Sequence, residues 1–432
     1  MTLNRKFVEG LILGGGAFLL SGGLDMVLAS GRDVAADGDK RFEAILAILY
    51  FVVFLLGLIH FRRSRYAAFH TPALVALMVL TCASAAWATF PGVVLRRTIG
   101  LAGTCLFGVV AGATLSASEQ LRILRWVLRI AAALSLAMVI LLPRHGISTN
   151  IGDMDGAGWR GIFNHKNGLG AAMALAILVE WLVPTRALLS RVAKISWLGL
   201  YCVLLVFSNS MTALTAVVFT FVILYTFRIF RRHYKLPLPA LLGGALVIGA
   251  FFLANPGSIT GALGRSSDIT GRTELWHWVV QMIFRRPWLG YGFSGFWGGG
   301  SPEYALIVRM IGWTPMYSHD GYLEIMLSLG LAGLLLFAWF MVTGLRRALY
   351  QAETGESLSD LWPLAFLVYF LIHNLGECTI MWQNCLEWAL CVAVVIGSDP
   401  VLRALYESAA TESESDTAAE PDAAFAPEEE YV

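Results

Sequence analysis

The chain has 432 residues, of which 57% are hydrophobic and 14% are charged, and its formal net charge is +1. Soluble domains carry about 25% charged residues, and the mean hydropathy of this chain is correspondingly high at +0.67. The composition therefore excludes an ordinary soluble globular protein and predicts an integral membrane protein. A nucleic-acid partner is not expected.

Apolar runs of about 20 residues follow one another along the chain, and a helix of that length crosses a ~30 Å hydrocarbon core. The sequence predicts an all-α, polytopic protein with about 12 transmembrane helices. The runs are 7–29, 42–60, 72–90, 98–115, 126–142, 167–183, 195–209, 211–228, 238–254, 321–345, 361–378 and 383–398. Runs 195–209 and 211–228 also fit one bent hairpin. The first run lacks a clear cleavage site and is interpreted as a retained helix, not a signal peptide.

Basic residues concentrate in alternate loops, which is typical of the cytoplasmic side of a membrane protein. With a cytoplasmic N-terminus, the inner loops carry the densest basic clusters. These clusters are Arg62, Arg63 and Arg65; Arg122, Arg125 and Arg129; Arg186, Arg191 and Lys194; Arg228, Arg231, Arg232 and Lys235; and Arg346 with Arg347. The sequence therefore predicts that both termini are cytoplasmic and that the segment 255–320 faces the outer side.

The long polar segment divides the chain into four parts. Residues 1–254 are expected to hold nine transmembrane helices, 255–320 an outer loop, and 321–400 three more helices. Residues 401–432 are rich in acidic and small side chains with few large apolar ones. Such a segment cannot bury enough surface to fold, so we predict a disordered, acidic cytoplasmic tail.

The cysteines and histidines give no sign of a bound metal or cofactor. No Cys or His pair has metal-ligand spacing, and neither a phosphate-binding loop nor a dinucleotide fingerprint is present. No metal and no cofactor are therefore expected. Cys378 and Cys385 flank a short outer loop, where either a disulfide or two free thiols would fit.

The first polar cluster on the predicted outer side leads into the sixth apolar run. Arg160, His165 and Lys166 bring three potential cations, and Asn164 and Asn167 bring two amides. The start of a helix exposes N–H groups that favour an anion, whereas long basic side chains also serve as interfacial anchors. Both interpretations stay open on the residues alone.

The long loop carries a second cluster at its beginning. Residues 272–284 are predicted to form an amphipathic helix, because Arg272, Trp276 and Val279 recur at helical spacing. The helix dipole opposes a cation in the first turn, which indicates that Arg272 serves something other than helix stability. A guanidinium matches the bidentate geometry of a phosphate or diphosphate.

The end of the loop carries a third cluster around His319. A histidine near a membrane is a candidate general base or anion-binding cation, and the alternative is a structural hydrogen-bonding residue. Asp320 and Glu324 lie beside it in the sequence. The polar tip 208–212 is interpreted as a turn. A further cluster, His373 to Glu377, ends the eleventh run, and its role stays open.

Five motifs lie in register on the predicted outer side. They are Phe163-Asn164-His165-Lys166-Asn167-Gly168-Leu169-Gly170, Ser208-Asn209-Ser210-Met211-Thr212-Ala213-Leu214, Gly271-Arg272-Thr273-Glu274-Leu275-Trp276, Arg286-Pro287-Trp288-Leu289-Gly290-Tyr291-Gly292 and Ser318-His319-Asp320-Gly321-Tyr322-Leu323-Glu324. In this order they resemble the O-antigen ligase and polysaccharide polymerase superfamily over roughly residues 60–400. The chain looks most like the exopolysaccharide-production branch.

The resemblance implies a multi-helix glycosyltransferase related to the GT-C class in the bacterial inner membrane, with a periplasmic active loop. It implies an undecaprenyl-diphosphate-linked oligosaccharide as donor, membrane lipid around it, no metal, and export proteins of the same polysaccharide as further candidate partners. Arg272 and His319 match the residues that act on the donor diphosphate and the acceptor hydroxyl. The positions that we assign to substrate binding are Lys166, Arg160, Asn167, Glu274, Trp276 and Asp320.

Two positions depart from the pattern of the resembled family. Met211 stands where many relatives carry a basic residue, so Lys166 or Arg160 would have to supply that charge. Asp320 replaces the usual Asn after the histidine. A neighbouring carboxylate raises the pKa of a histidine, which favours an anion-binding role for His319 over general base catalysis.

Polymerisation of a secreted polysaccharide is the favoured function, and ligation of the glycan to lipid A–core is the alternative. A transporter of lipid-linked sugars would need charges at mid-membrane depth, whereas these charges collect at the outer face. A non-catalytic export scaffold would tolerate replacement of Arg272 and His319.

Overall fold

A computed structural model describes residues 5–23, 40–148, 157–185, 187–229, 270–297 and 300–406. The helices of these residues, labelled in chain order, are α1 Arg5–Leu20, α2 Lys40–Ile59, α3 Phe61–Phe69, α4 Pro72–Ala83, α5 Pro91–Thr114, α6 Ala117–Leu141, α7 Pro143–Gly146, α8 Lys166–Leu182, α9 Leu188–Ser208, α10 Met211–Ile229, α11 Thr270–Arg285, α12 Pro302–Ile311, α13 Gly321–Thr354, α14 Trp362–His373, α15 Leu386–Gly397 and α16 Pro400–Tyr406. Short 3-10 helices cover Ser84–Ala86 and Leu358–Leu361.

The all-α prediction is confirmed for the part of the chain that the structure describes. Its strands are two-residue pieces, β1 Ile147–Ser148 and β2 Gly158–Trp159, which pair antiparallel beside the start of α8. The amphipathic helix predicted at 272–284 is also confirmed, as α11. The ninth apolar run, residues 255–269 of the outer loop, and residues 407–432 of the predicted tail lie outside the described residues.

Within the described residues, six helices are long and apolar enough to cross a membrane: α2, α5, α6, α9, α10 and α13. The number rises to eight if each of two bent pairs counts as one span. The pair α3 and α4 is bent by 80°, and the pair α15 and α16 is bent by 83°. A polytopic membrane protein is therefore established, whereas the figure of twelve spans stays a prediction.

The helices α5 and α15 approach each other very closely. Gly108 and Gly112 are spaced four residues apart on α5, and a Cβ atom at either position would lie 2.6 or 2.5 Å from the carbonyl oxygens of Ala389 and Ala393. Small residues at this spacing let helix backbones pack tightly in a membrane. Their contact brings the start of α15 next to the middle of α5, where Asn384 N–H donates to the Thr104 hydroxyl at 2.8 Å, and residues of both helices border the main polar cavity.

The helix α14 forms the centre of the bundle, because it packs against α8, α10, α13 and α15. Its large side chains, among them Trp362, Phe366 and Phe370, are fully buried. The helix ends at His373, and the polar segment 374–385 follows it before α15 begins. Because α14 is the central helix, this polar segment lies near the middle of one end of the bundle.

The helix α13 is broken inside its apolar run. Gly330 has φ +64° and ψ −161°, which no helix contains. The loop 287–292 supplies the missing backbone contacts: Tyr291 N–H donates to Leu327 O, and Leu331 N–H donates to Pro287 O, at 2.9 and 2.8 Å. Irregular backbone within an apolar run is tolerated where protein satisfies its polar groups, and the loop 287–292 does so for α13.

A second, smaller core holds the described part of the outer loop together. Leu275, Val279 and Met282 of α11 pack with Phe296 and Ile307 into a buried cluster. This packing fixes α11 beside the start of α13, and so it fixes Arg272 relative to the segment that carries His319.

The other end of the bundle contains a buried carboxylate between two guanidinium groups. Glu180 of α8 is 1% exposed and accepts hydrogen bonds from Arg125 and Arg129 of α6, with shortest N–O distances of 2.7 and 2.8 Å. Lys194 donates to the carbonyls of Trp181 and Val183 nearby. Pairing of this kind compensates the cost of burying a charge and ties α6, α8 and α9 together.

Candidate active site

A cavity of about 820 Å³ lies among the ends of α1, α5, α8, α13 and α14. Its polar lining comes from side chains that are far apart in the sequence. The Arg, His, Glu and amide side chains on its wall are Arg97, Arg160, Asn164, His165, Asn167, Glu324, His373, Glu377, Gln383, Asn384 and Glu387. A mixed cationic and carboxylate lining of this kind suits a ligand with an anionic group and several hydroxyls.

Glu377 joins two of the predicted clusters. Its Oε1 accepts a hydrogen bond of 2.7 Å from the Asn167 side-chain amide and lies 3.7 Å from Nη2 of Arg272. The Arg272 guanidinium also donates to Gly376 O at 2.9 Å. The segment after α14, whose role the sequence left open, therefore connects the start of α8 to the start of α11.

Asn374 stabilises the same segment through several hydrogen bonds. Its side-chain oxygen accepts from the N–H groups of Thr379 and Ile380, at 2.8 and 3.0 Å. Its backbone carbonyl accepts from Gly321 N–H at 2.9 Å. The polar segment is thus fixed against the first residue of α13, next to His319 and Asp320.

His319 occupies a left-handed backbone conformation with φ +55°, which is uncommon for a residue with a side chain. Its ring lies 4.2 Å from the ring of Tyr317 and 6.3 Å from that of Trp313, centroid to centroid. Tyr317 lines the cavity, whereas His319 itself is absent from the lining and reaches it through its ring contact with Tyr317. Unusual backbone geometry of this kind concentrates at functional sites.

Asp320 caps the N-terminus of α13. Its Oδ1 accepts from the N–H groups of Tyr322 and Leu323, at 2.8 and 2.9 Å, which is the standard way to satisfy the first turn of a helix. Burial raises the pKa of Asp320 to about 7, although the two N–H donors favour its charged form. The effect of this carboxyl group on the pKa of His319 stays a prediction.

The start of α13 is tied to the outer loop by a second carboxylate. Glu324 accepts from Trp297 Nε1 at 2.8 Å and from Ser318 N–H at 2.9 Å. Trp276 of α11 donates through Nε1 to Ser318 O at 2.8 Å. Trp276 therefore positions the His319 segment from the side of α11.

The structure does not bring every predicted substrate-binding residue to the cavity wall. Arg160 and Asn167 line it, whereas Lys166 is buried behind the wall with its side chain packed near Gly158. Glu274 is exposed and lies outside the lining. Arg272 borders the cavity through its contact with Glu377.

The sequence-based site lacked Arg97, which lines the cavity from α5. Its partner, Ser294, is 197 residues away in the chain, so no local pattern could have revealed the contact. Met211, the departure from the family pattern, is 45% exposed and lies outside the lining.

Cys378 and Cys385 are both free thiols in the structure, which decides between the two alternatives that the sequence allowed. Cys378 lies beside Ser318, and burial raises the pKa of its thiol well above the ordinary value. In the part of the chain that the structure describes, no group of three or more His, Cys, Asp or Glu side chains could hold a metal ion.

The fold and the cavity define a polytopic helical membrane protein with a polar site at one end of its bundle. Residues 195–338 match the O-antigen ligase family. The chain is also similar to the exopolysaccharide production protein ExoQ of Rhizobium meliloti (strain 1021), with 24% identity over 349 residues. The match covers 74% of this chain and 76% of ExoQ. These findings confirm the resemblance that the motifs predicted, including its exopolysaccharide branch.

Proposed function

We propose that this protein is an inner-membrane glycosyltransferase that polymerises the repeat units of an exopolysaccharide or O-antigen at the periplasmic face. The donor is an undecaprenyl-diphosphate-linked glycan, and the acceptor is a hydroxyl of a second lipid-linked repeat. The match to the O-antigen ligase family and the name of the ExoQ relative support this class of enzyme. About twelve spans and a GT-C-like arrangement belong to the same proposal.

One structural observation carries the proposal. Asn167, Arg272 and Glu377 come from three segments that are distant in sequence, and they meet in one network beside the cavity of about 820 Å³. The His319 segment is linked to this network at the start of α13, where the Cys378 thiol, next to Glu377, contacts the carbonyl oxygen of Asp320 at 3.8 Å. A site for a lipid diphosphate and a sugar needs this combination of a guanidinium, a polar wall and a cavity large enough for a saccharide.

The reaction is a displacement at the anomeric carbon. The acceptor oxygen forms a new bond to that carbon, the bond from the carbon to the diphosphate oxygen breaks, and the hydroxyl proton is released. In-line attack inverts the centre. Diphosphate is already a good leaving group, so positioning of the two substrates and stabilisation of its charge supply most of the catalysis.

In this scheme Arg272 binds the diphosphate, with Arg160 on the cavity wall and Lys166 behind it adding positive charge. His319 either assists attack by the hydroxyl or holds the diphosphate. Retention of substantial activity by His319→Gln would argue against an essential proton transfer at this position. Asn167, Trp276 and Asp320 hold the site in shape, and Glu274 is assigned to the substrate only through its motif.

The test is the analysis of lipid-linked glycans and secreted polysaccharide in cells that lack the protein, rescued by wild type, Arg272→Ala or His319→Ala. We expect single repeat units to accumulate and long polymer to be absent in the null strain and in both variants. Full rescue by both variants at wild-type protein level would leave only the scaffold function.

Ligation is the second candidate, because the matched family is described as O-antigen ligase. The same cells separate the two functions. A ligase defect leaves long polymer on the lipid carrier without transfer to lipid A–core, whereas a polymerase defect leaves single repeats. Accumulation of lipid-linked sugars on the cytoplasmic side would instead indicate a transporter.

A further inference from the structure

The cavity contains a second guanidinium that lies directly on its wall. Arg97 belongs to the first two turns of α5 and is half-buried. Its Nη1 donates to the backbone carbonyl of Ser294 at 2.7 Å and to the Ser294 hydroxyl. Ser294 has φ +51°, and its backbone N–H donates a hydrogen bond of 3.3 Å to the hydroxyl oxygen of Ser328 on α13. The loop and α13 together therefore fix the position of Arg97.

This anchoring occupies one end of the guanidinium. Among the residues that the structure describes, Nε and Nη2 of Arg97 have no hydrogen-bond acceptor, and no carboxylate lies within 4.0 Å of the group. The nearby Glu324 is engaged by Trp297 and Ser318. Partial burial of a cation without an ion pair lowers the stability of the folded protein because the charge loses water. An anion bound in the cavity would compensate that loss.

We propose that Arg97 binds phosphate oxygens of an anionic ligand in the cavity through its Nε–Nη2 edge. That edge presents two parallel N–H groups, the geometry that matches a phosphate in a bidentate contact. The inference rests on the proposed function for its ligand, which is then the diphosphate of the lipid-linked donor. Arg97 supplies a cationic contact within the cavity, while Arg272 acts from beside Glu377.

The adjacent arginine provides a matched control. Arg96 immediately precedes Arg97 in the same turn of α5, but its side chain is 51% exposed, approaches Glu43 at 4.0 Å, and is absent from the cavity lining. Arg96→Gln and Arg97→Gln change the net charge of the protein equally. Any difference between the two variants therefore reports the position of the charge and not its amount.

The experiment measures binding of farnesyl diphosphate, farnesyl monophosphate and inorganic diphosphate to the purified full chain. Affinity is read from the ligand-dependent rise of the unfolding temperature, which separates binding from stability of the unliganded protein. A hydrogen bond to a charged group is worth about 10-fold or more in affinity. We expect Arg97→Gln to bind farnesyl diphosphate at least about 10-fold more weakly than wild type, and Arg96→Gln to bind within about twofold.

Arg97→Lys keeps the charge but loses the bidentate edge, so we expect affinity between those of wild type and Arg97→Gln. If Arg97→Gln does not fold, the affinity of Arg97→Lys for farnesyl diphosphate tests the proposal by itself. Wild-type affinity of Arg97→Lys or Arg97→Gln would overturn the proposal, and so would equal losses in the Arg96 and Arg97 variants. Binding of inorganic diphosphate as tight as that of farnesyl diphosphate would identify a free anion and not a lipid as the ligand.

Failure of this inference differs from failure of the proposed function. Normal diphosphate binding by Arg97→Gln, with polymer still abolished by Arg272→Ala, removes the role of Arg97 and keeps the polymerase. Weak diphosphate binding by Arg97→Gln, with normal polymer in the Arg272 and His319 variants, keeps the anion site and removes the catalytic function proposed for the loop.

Discussion

Glu377 is the side chain through which the site is assembled. It accepts from Asn167 at 2.7 Å and lies 3.7 Å from Arg272, so its removal leaves both partners without their shared carboxylate. Because hydrogen bonds to charged groups contribute about 1.5–3 kcal/mol, we expect Glu377→Ala to reduce polymer formation about 10-fold or more. Glu377→Gln keeps an acceptor for Asn167 and should lie between Ala and wild type.

The measurement is the amount of long polysaccharide at matched protein level. Glu356→Ala is the control, because that glutamate is exposed in the connection that follows α13 and lies outside the cavity lining. Wild-type polymer in cells with Glu377→Ala would mean that Arg272 and Asn167 do not depend on this carboxylate.

Asp320 predicts a pH dependence of stability. Its pKa is about 7 in the folded protein, whereas the ordinary pKa of an Asp side chain, which applies to the unfolded chain, is 3.8. Between pH 3.8 and pH 7 the folded state therefore holds a proton that the unfolded state has released. Stability from this group is therefore lost as the pH rises through that window. We expect the unfolding temperature of wild type to fall more between pH 5 and pH 8 than that of Asp320→Asn.

Asparagine is the appropriate replacement because its side-chain oxygen still caps a helix while it cannot ionise. Circular dichroism in detergent at the two pH values, with both proteins in the same buffer series, gives the comparison. Equal temperature differences in the two proteins would show that the Asp320 carboxyl group is not titrating in this range.

At the level of elements, the break in α13 depends on a glycine at position 330. Gly330 has backbone angles that are almost restricted to glycine, and an added Cβ atom would lie 2.3 Å from the carbonyl carbon of Trp288. Neither partner can yield without loss of the contacts between α13 and the loop 287–292. We expect Gly330→Ala to lower the free energy of unfolding by at least about 2 kcal/mol.

Gly199→Ala is the matched control, since Gly199 lies within α9 and no atom is within 4 Å of the position of an added Cβ. Alanine is the better helix former by about 1 kcal/mol, so this variant should be as stable as wild type or slightly more stable. The readout is the unfolding temperature of both proteins in detergent. Similar temperatures for the two variants would contradict a rigid break.

The same elements show what the sequence could and could not predict. Runs such as 42–60 and 98–115 became helices, because hydrophobicity over 20 residues depends on local composition alone. The break at Gly330 lies inside the apolar run 321–345, and nothing in the hydrophobicity of that run indicates it. The helix can be broken there because a loop about 40 residues upstream replaces the missing backbone hydrogen bonds.

The candidate site, like the fold, was predictable where it depends on local sequence and not where it depends on distant contacts. Arg272 and Asn167 belong to local motifs, and their motifs do meet in space. The roles of Glu377 and Arg97 depend on partners 210 and 197 residues away. A contact at that separation leaves no periodic signal in one sequence, so the roles of these two residues emerged only from the folded arrangement.

At the scale of the whole molecule, the two ends of the bundle carry different charge arrangements. At one end Arg347 pairs with Asp399 at 2.8 Å and donates to His70 O, and Arg403 lies 4.0 Å from Asp360. At the other end lie the cavity and the His319 segment. Loops rich in Arg and Lys favour the cytoplasmic side of a membrane, so the first end is predicted to be cytoplasmic and the end with the cavity periplasmic.

This arrangement predicts which residues a membrane-impermeant thiol reagent can reach from the periplasm. In a chain whose six native cysteines are replaced, Arg309→Cys on α12 should react in cells with a permeabilised outer membrane, because α12 belongs to the outer loop. Glu356→Cys, at the opposite end, should react only after the inner membrane is opened. Both side chains are exposed, so accessibility within the protein does not distinguish them. The reverse pattern of labelling would mean that the protein has the opposite orientation in the membrane. The cavity would then open to the cytoplasm, where it could not polymerise an exported lipid-linked glycan.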